Sequence, residues 1–214
     1  MICGIDEAGR GPLAGPVCAG AVILGGDFPV NILNDSKKMN STFRSKARLV
    51  IREKAICWGI GWASHAEIDS INILQASLLA MKRAFFDMIN KISEKQFPAF
   101  LILLQETLCE EISVIADGKF VPDLKSESCL LQNIAGKAAA INCTAMVKAD
   151  AQVPQVMAAS ILAKTARDSL MDEMALLYPV YGYEKHKGYP TKAHREAVLK
   201  YGPSPIQRLS FKVR

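Results

Sequence analysis

Gly4-Ile5-Asp6-Glu7-Ala8-Gly9-Arg10-Gly11-Pro12-Leu13-Ala14-Gly15-Pro16-Val17 is the stretch on which the reading of this chain turns. Apolar runs at 1–5 and 16–24, rich in Ile, Val and small residues, lie on either side of its Gly/Pro-rich centre. That pattern predicts two strands joined by a tight turn. Asp6 and Glu7 follow the first strand. Neighbours on a regular strand point to opposite faces. The pair can therefore serve one site only if the strand ends or twists there, which Gly9 permits. Glycines also let backbone approach a phosphate or sugar closely, and Arg10 can bind a phosphate. The GxxxxGK[ST] spacing of a Walker loop is absent, and as a hairpin turn alone the segment would be unremarkable.

Working outward, a polar loop runs from Gly25 to Lys38, and Ser41 or Thr42 can cap a helix reaching about Ala55. Residues 57–63 read as a strand. Residues 67–92 read as a helix, with Leu74, Leu78, Met81, Phe85 and Ile89 on one face. Residues 97–110 are apolar and fit either state. Short strands are expected at 112–116, ending on Asp117-Gly118, and at 142–148, ending near Asp150. Residues 154–177 read as a helix whose small surface (Ala158, Ala159, Ser160, Ala163) allows close packing on a sheet, and 191–200 as a last capped helix. Hairpin strands followed by alternating helices and strands predict an α/β fold, a mixed sheet covered by helices.

Half of the 214 residues are apolar and 22% are charged, which suits one globular domain. The net charge of +5 is unevenly spread. Residues 34–54 carry seven basic side chains against Asp35 and Glu53, and 179–214 carry eight against Glu184 and Glu196. Two such segments either meet along one face and track a phosphate backbone or form separate solvated helix faces, and the sequence leaves both open. The six cysteines form no CxxC pair and there are three histidines, which argues against structural zinc. Cys3, Cys18, Cys57 and Cys143 sit in apolar runs, as reduced core residues do. Charge arrives too early for a signal peptide, and the run 97–104 is too short to span a bilayer. A soluble, cytoplasmic protein is expected.

Four carboxylates, Asp6, Glu7, Asp117 and Asp150, share a place at strand ends. Crowded carboxylates repel one another unless a cation neutralises them, and oxygen ligands favour Mg²⁺ or Mn²⁺. Beside basic segments, such a cluster suits two-metal phosphodiester hydrolysis. The ordinary alternatives are a turn former or helix cap for Asp117 and Asp150, and half of a salt bridge for Asp168, mid-helix beside Arg167. Spacing alone does not separate these.

Taken together, the segments resemble ribonuclease HII over nearly the whole chain. The opening stretch carries most of the resemblance. Asp35-Ser36-Lys37-Lys38, Asp117-Gly118 and Lys148-Ala149-Asp150 follow in order, then Ala158-Ala159-Ser160-Ile161-Leu162-Ala163-Lys164 with Arg167-Asp168. His186-Lys187-Gly188-Tyr189-Pro190-Thr191 and Gly202-Pro203-Ser204-Pro205-Ile206 complete it. The resemblance implies an RNase H-like fold in one catalytic domain spanning 1–214, with a helical C-terminal extension from about 179.

It further implies hydrolysis of the RNA strand of RNA-DNA hybrids and nicking 5′ to single ribonucleotides in duplex DNA, leaving a 3′-hydroxyl and a 5′-phosphate. Asp6, Glu7, Asp117 and Asp150 would be the catalytic, metal-binding carboxylates for Mg²⁺ or Mn²⁺, and Asp168 would be structural. Gly9, Arg10, Gly11, Lys37, Ser160 and Tyr189 would contact the substrate, the tyrosine ring stacking on the deoxyribose beside the ribonucleotide. The protein is expected to act as a monomer without a membrane.

Three departures stand out. The stretch from Asp117 to Asp150 is long, with 122–137 resembling an insertion. Ala149 replaces an expected glycine, and Gln207-Arg208-Leu209 differs from a more basic family tail, which would alter substrate grip. The related ribonuclease HIII usually has a lysine in the first motif and an extra N-terminal domain. Arg10 and a chain opening on its first strand point away from it. A silent hybrid binder would be favoured by loss of a carboxylate, yet all four are present. A hydrolase of small nucleotides would need an enclosing phosphate loop or catalytic histidines.

Overall fold

Strand β1 (Ile2–Ala8) and strand β2 (Val17–Ile23) form the antiparallel pair expected on either side of the glycine-rich turn. The computed structural model describes residues 1–34, 36, 39–93, 111–124 and 140–213. Within them β3 (Cys57–Ala63), β4 (Glu111–Asp117) and β5 (Ala140–Met146) complete a five-stranded sheet in the order β3-β2-β1-β4-β5. The β3-β2-β1 half is antiparallel, whereas β4 and β5 run parallel to β1. Parallel strands need crossover segments, so a chain with one hairpin and later helices gives a mixed sheet.

Every residue of β2 is buried, because helices cover both faces of the sheet. On one face α2 (His65–Ser93) supplies Met81, Phe85, Met88 and Ile89 against Cys3, Ile5 and Ala19. On the other, α3 (Pro154–Leu177) brings Ala158, Ala159, Ile161 and Leu162 against Val22, with α1 (Ser41–Lys54) alongside. A Cβ on Gly4 would stand 2.2 Å from the Gln155 carbonyl carbon, and one on Gly20 2.5 Å from the Ala159 oxygen. Both strands therefore carry glycine where α3 lies directly on them, and the small-residue surface read from the sequence has this function.

Several boundaries move for local reasons. The α1 cap is Asn40, not Ser41 or Thr42, and its Oδ1 accepts the Phe43 amide at 2.9 Å. Helix α2 begins two residues before the expected start, because Ser64 and Glu67 form a reciprocal capping box. At Asn72 (φ 66°) it kinks and restarts, the Asn72 side chain accepting the Leu74 and Gln75 amides. Strand β5 stops at Met146, because Lys148 is left-handed (φ 61°) and turns the chain into a 3-10 segment, Ala149–Ala151. Asp150 thus lies on that turn and not at a strand end.

The C-terminal part holds the short helix α4 (Tyr183–His186) and α5 (Lys192–Tyr201), packed with Met171 and Ala175 of α3. Its tail returns to the first turn, where Ala14 bridges Gln207 and the Leu13 and Gly15 backbones bond to Arg208 and Ile206 at 2.8 Å. Among the described residues no helix is long and apolar enough to cross a membrane. Cys3, Cys18 and Cys57 are buried free thiols whose pKa values burial pushes up. The ambiguous run 97–110 and Lys37 lie outside the described residues, as does most of the 122–137 insertion.

Candidate active site

The expectation that β1 would end before Asp6 is corrected. Asp6, Glu7 and Ala8 pair with Gly20, Ala19 and Cys18, so the strand continues through both carboxylates. β1 and β4 are parallel, with Ile5 opposite Ala116, and one further step in that register sets Asp6 beside Asp117. Asp6 lies under α3, only 4% exposed, and accepts from the Ser160 hydroxyl and, at 2.7 Å, from the Glu7 amide. Glu7 Oε1 receives Arg10 Nη1 at 3.2 Å, while Glu7 Oε2 is buried with no hydrogen-bond partner. Asp117 Oδ1 accepts the Ala149 amide at 2.7 Å, which ties the end of β4 to the turn carrying buried Asp150.

Charge crowding is evident in the protonation behaviour. Burial pushes the Asp6 carboxyl well above the usual range, and Glu7 and Asp117 push it further against the Ser160 bond. Burial also raises Glu7, Arg10 opposes this, and Asp117 adds to it. Asp6, Glu7 and Asp117 are thus one electrostatic cluster, and the Ala149–Asp117 bond fixes the turn on which Asp150 lies. Among the described residues no three acidic, histidine or cysteine groups are drawn into a ready-made metal cage. Glu7 is turned toward Arg10 and Asp117 toward a backbone amide. A buried carboxylate oxygen without a donor is uncommon, and an all-oxygen donor set with excess negative charge suits a hard divalent cation.

Next to the carboxylates, a cleft of about 200 Å³ is lined by Glu7, Gly9, Arg10, Gly11, Ser36, Ser160, Lys164 and Tyr189. Of the substrate contacts implied by the resemblance, the described ones (Gly9, Arg10, Gly11, Ser160 and Tyr189) are all here. Tyr189 is 40% exposed and its ring edge faces Gly11, where even a Cβ would approach it to 3.6 Å. The ring is steadied by its own backbone: its amide donates to the His186 carbonyl at 2.8 Å and its carbonyl accepts His194 Nδ1 at 3.0 Å. Ser36, from the second motif, bonds Ser160 at 2.8 Å, giving a relay from Ser36 through Ser160 to Asp6.

Two buried arginines escaped the sequence reading. Arg208 (0% exposed) donates to the carbonyls of Gly9 at 2.6 Å, Gly15 at 2.8 Å, and Arg10 and Pro16 at 3.1 Å. It therefore holds the glycine-arginine-glycine turn by its backbone carbonyls. Arg167 donates to Pro16 at 2.9 Å, Lys187 at 3.0 Å and Ala14 at 3.1 Å. Asp168 is half of a salt bridge, as expected, its partners being Lys164 at 2.7 Å and Arg44 at 3.9 Å. Burial, then the neighbouring Arg167 charge, lower Arg208 to about 9, so it remains protonated at neutral pH. A cation in a motif gave no sign of whether it would face carbonyls or solvent.

A mixed sheet with helices on both faces and acidic residues along the ends of β1 and β4 defines a ribonuclease H-like protein. The chain superposes on ribonuclease H2 of Pyrococcus horikoshii with a TM-score of 0.60 at 26% identity, covering 99% of this chain and 94% of that one. It also superposes on a ribonuclease HIII, Bst-RNase HIII, solved in complex with Mn²⁺ (TM-score 0.67, 16% identity, 99% and 67% covered), which shows the fold alone. The family model for ribonuclease HII matches residues 3–214. Ribonuclease HII of Treponema denticola is 50% identical over 215 residues, covering 100% of this chain and 99% of that one. That of Dechloromonas aromatica is 43% identical, with 99% and 90% covered. The chain belongs to the ribonuclease HII family, and is a nuclease of the ribonuclease H kind.

Proposed function

We propose that the protein cuts the RNA strand of RNA-DNA hybrids and nicks DNA duplexes immediately 5′ to a single embedded ribonucleotide, leaving a 3′-hydroxyl and a 5′-phosphate. The observation that carries this reading is the mutual repulsion of Asp6, Glu7 and Asp117 beside a cleft formed by Gly9–Gly11 and Tyr189. Asp6, Glu7, Asp117 and Asp150 would hold two Mg²⁺ or Mn²⁺ ions, with Glu7 exchanging Arg10 for a cation. Bound there, such ions supply an activated water and stabilise the leaving oxygen.

The chain's own residues set the geometry. Ser160 and the Glu7 amide orient Asp6, and the Ala149 amide orients Asp117. The Gly9–Gly11 backbone, anchored by Arg208, faces the ribose, whose 2′-hydroxyl is the feature separating RNA from DNA. The Tyr189 ring, beside Gly11, stacks on the deoxyribose that follows an embedded ribonucleotide. Lys37 steadies a phosphate by its place in the second motif. Residues 1–214 act as one catalytic domain and as a monomer, the extension from about 179 supplying Tyr189 and the Arg208 anchor.

The test is a DNA duplex containing one ribonucleotide, incubated with Mg²⁺ or Mn²⁺ and, separately, with chelator. One nick 5′ to the ribonucleotide, absent with chelator, is expected. Asp117→Asn should stop the cutting while leaving duplex binding in place. An intact duplex with metal-loaded parent protein would overturn the assignment.

A further inference from the structure

Helices α1 and α3 face each other across a second cleft, of about 270 Å³, that no part of the proposed reaction uses. Four residues of α1 (Ser41, Arg44, Ser45, Arg48) and four of α3 (Thr165, Asp168, Ser169, Asp172) line it, with Lys187 at its end. The spacings of three and four place each set on one helix face. Deeper in, the α1–α3 seam is apolar through Ala47, Ile51, Ala158 and Leu162, but here it is hydroxylic and charged. Such a lining suits a polar or charged ligand.

The charges in the cleft are mostly spoken for. Asp168 pairs with Lys164 and Arg44, and Asp172 pairs with Lys187. Arg44 also donates to the Ser36 and Met39 carbonyls at 2.7 and 2.6 Å. Arg48 differs: among the described residues it has no acidic partner, and its Nε is buried without an acceptor. A guanidinium left with a desolvated donor, beside the exposed hydroxyls of Ser41, Ser45 and Ser169, matches the oxygens of a phosphodiester.

The position of the cleft says which phosphodiester. It shares Asp168 and Arg44 with the relay leading to Ser36 and Lys164 in the first cleft, and Lys187 lies close to Tyr189 in the chain. From Ser160, at Asp6, to Ser169, helix α3 rises roughly 13 Å at about 1.5 Å per residue. At about 3.4 Å per base step that is roughly four steps of duplex. We infer that this cleft binds a backbone phosphate of the duplex arm on the deoxynucleotide side of the junction, about four steps beyond it, with Arg48 as the principal ligand. The inference rests on the nuclease reading of the neighbouring site, and it also unites the two basic segments of the chain, through Arg48 and Lys187, on one face.

Binding of a ribonucleotide-containing duplex should be measured against salt for the parent, Arg48→Ala and Arg48→Lys. One lost phosphate contact lowers the slope of log affinity against log salt by about 0.9, which corresponds to about eightfold weaker binding at 0.1 M salt. Arg48→Ala should show both changes, with the cleavage defect in KM, and Arg48→Lys should recover most of the slope. A neutral methylphosphonate placed three to five steps (roughly, from the same spacing) beyond the junction, in either strand in turn, should weaken the parent to the same extent and Arg48→Ala no further. A parent that cuts the duplex while Arg48→Ala matches its affinity and slope overturns this inference alone. So does a slope change that ignores the methylphosphonate. A parent that does not bind the duplex overturns the functional reading and this one together.

Discussion

Replacing Arg208 with alanine is the sharpest probe of how the glycine-arginine-glycine turn is held. The side chain is fully buried and gives four hydrogen bonds, to the Gly9, Arg10, Gly15 and Pro16 carbonyls. Its removal leaves those four acceptors without their donor. A net loss of about 1 kcal/mol for each bond gives roughly 4 kcal/mol. Relief of the repulsion between Arg208 and Arg167 trims this to about 3–4 kcal/mol. For a chain of this size, about 2–4 °C of Tm is lost per kcal/mol, so a fall of roughly 6–16 °C is expected in thermal unfolding. Well below that Tm, kcat/KM on a hybrid should drop roughly 100-fold, because the backbone that faces the ribose is no longer held to sub-ångström precision. Arg208→Lys should lie between, since an ammonium reaches fewer carbonyls than a guanidinium fork. A Tm within about 3 °C of the parent (below the smallest loss estimated), together with unchanged cleavage, would show that the arginine does not hold the turn.

Other outcomes follow from the same geometry. Tyr189→Ala should reduce cleavage at an embedded ribonucleotide by roughly tenfold or more, from the loss of one stacking contact, and reduce all-RNA strand cleavage less; equal losses on both substrates would mean that the ring only shapes the fold. In chelator, folded Asp6 keeps its proton to higher pH than the unfolded chain does, because burial and Glu7 raise its pKa. The folded state therefore binds more protons above the usual carboxylate range, and this residue's contribution to stability falls as pH rises through that window. His186 and His194, lowered chiefly by burial, act in the opposite sense, so the comparison must be Asp6→Asn against parent. Chemical denaturation from about pH 4 to 8, spanning the range from the ordinary carboxylate value upward, should show Asp6→Asn gaining stability over the parent as pH rises. A pH-independent difference between the two would remove Asp6 from the repelling cluster.

The short-range patterns of the sequence carried most of the architecture. The span 57–63 matches β3 and the span 154–177 matches α3 end to end, because β alternation and a Pro-initiated helix are written in neighbouring residues. Where the expectations slipped, side chains outside the apolar pattern set the boundary: Asn40 capping α1, Ser64 with Glu67 opening α2, and left-handed Lys148 ending β5 early. The carboxylate pair Asp6-Glu7 could be read as chemistry from its residues. Its convergence with Asp117 could not, since it depends on β1 and β4 becoming neighbours across more than a hundred residues.

By itself, then, the sequence determined the α/β class, the strand-turn-strand opening, the family and the acidic residues on which the proposed chemistry rests. Only the tertiary structure decided that Arg208 reaches back to Gly9 and Arg10, that Asp168 serves Lys164 and Arg44, and that Arg48 has no acidic partner among the described residues. The physical reason is one of range. Helix and strand periodicities are settled between residues a few places apart, but a buried charge is stabilised by whichever groups the completed fold brings to it. For Arg208 those are the carbonyls of a turn almost two hundred residues away.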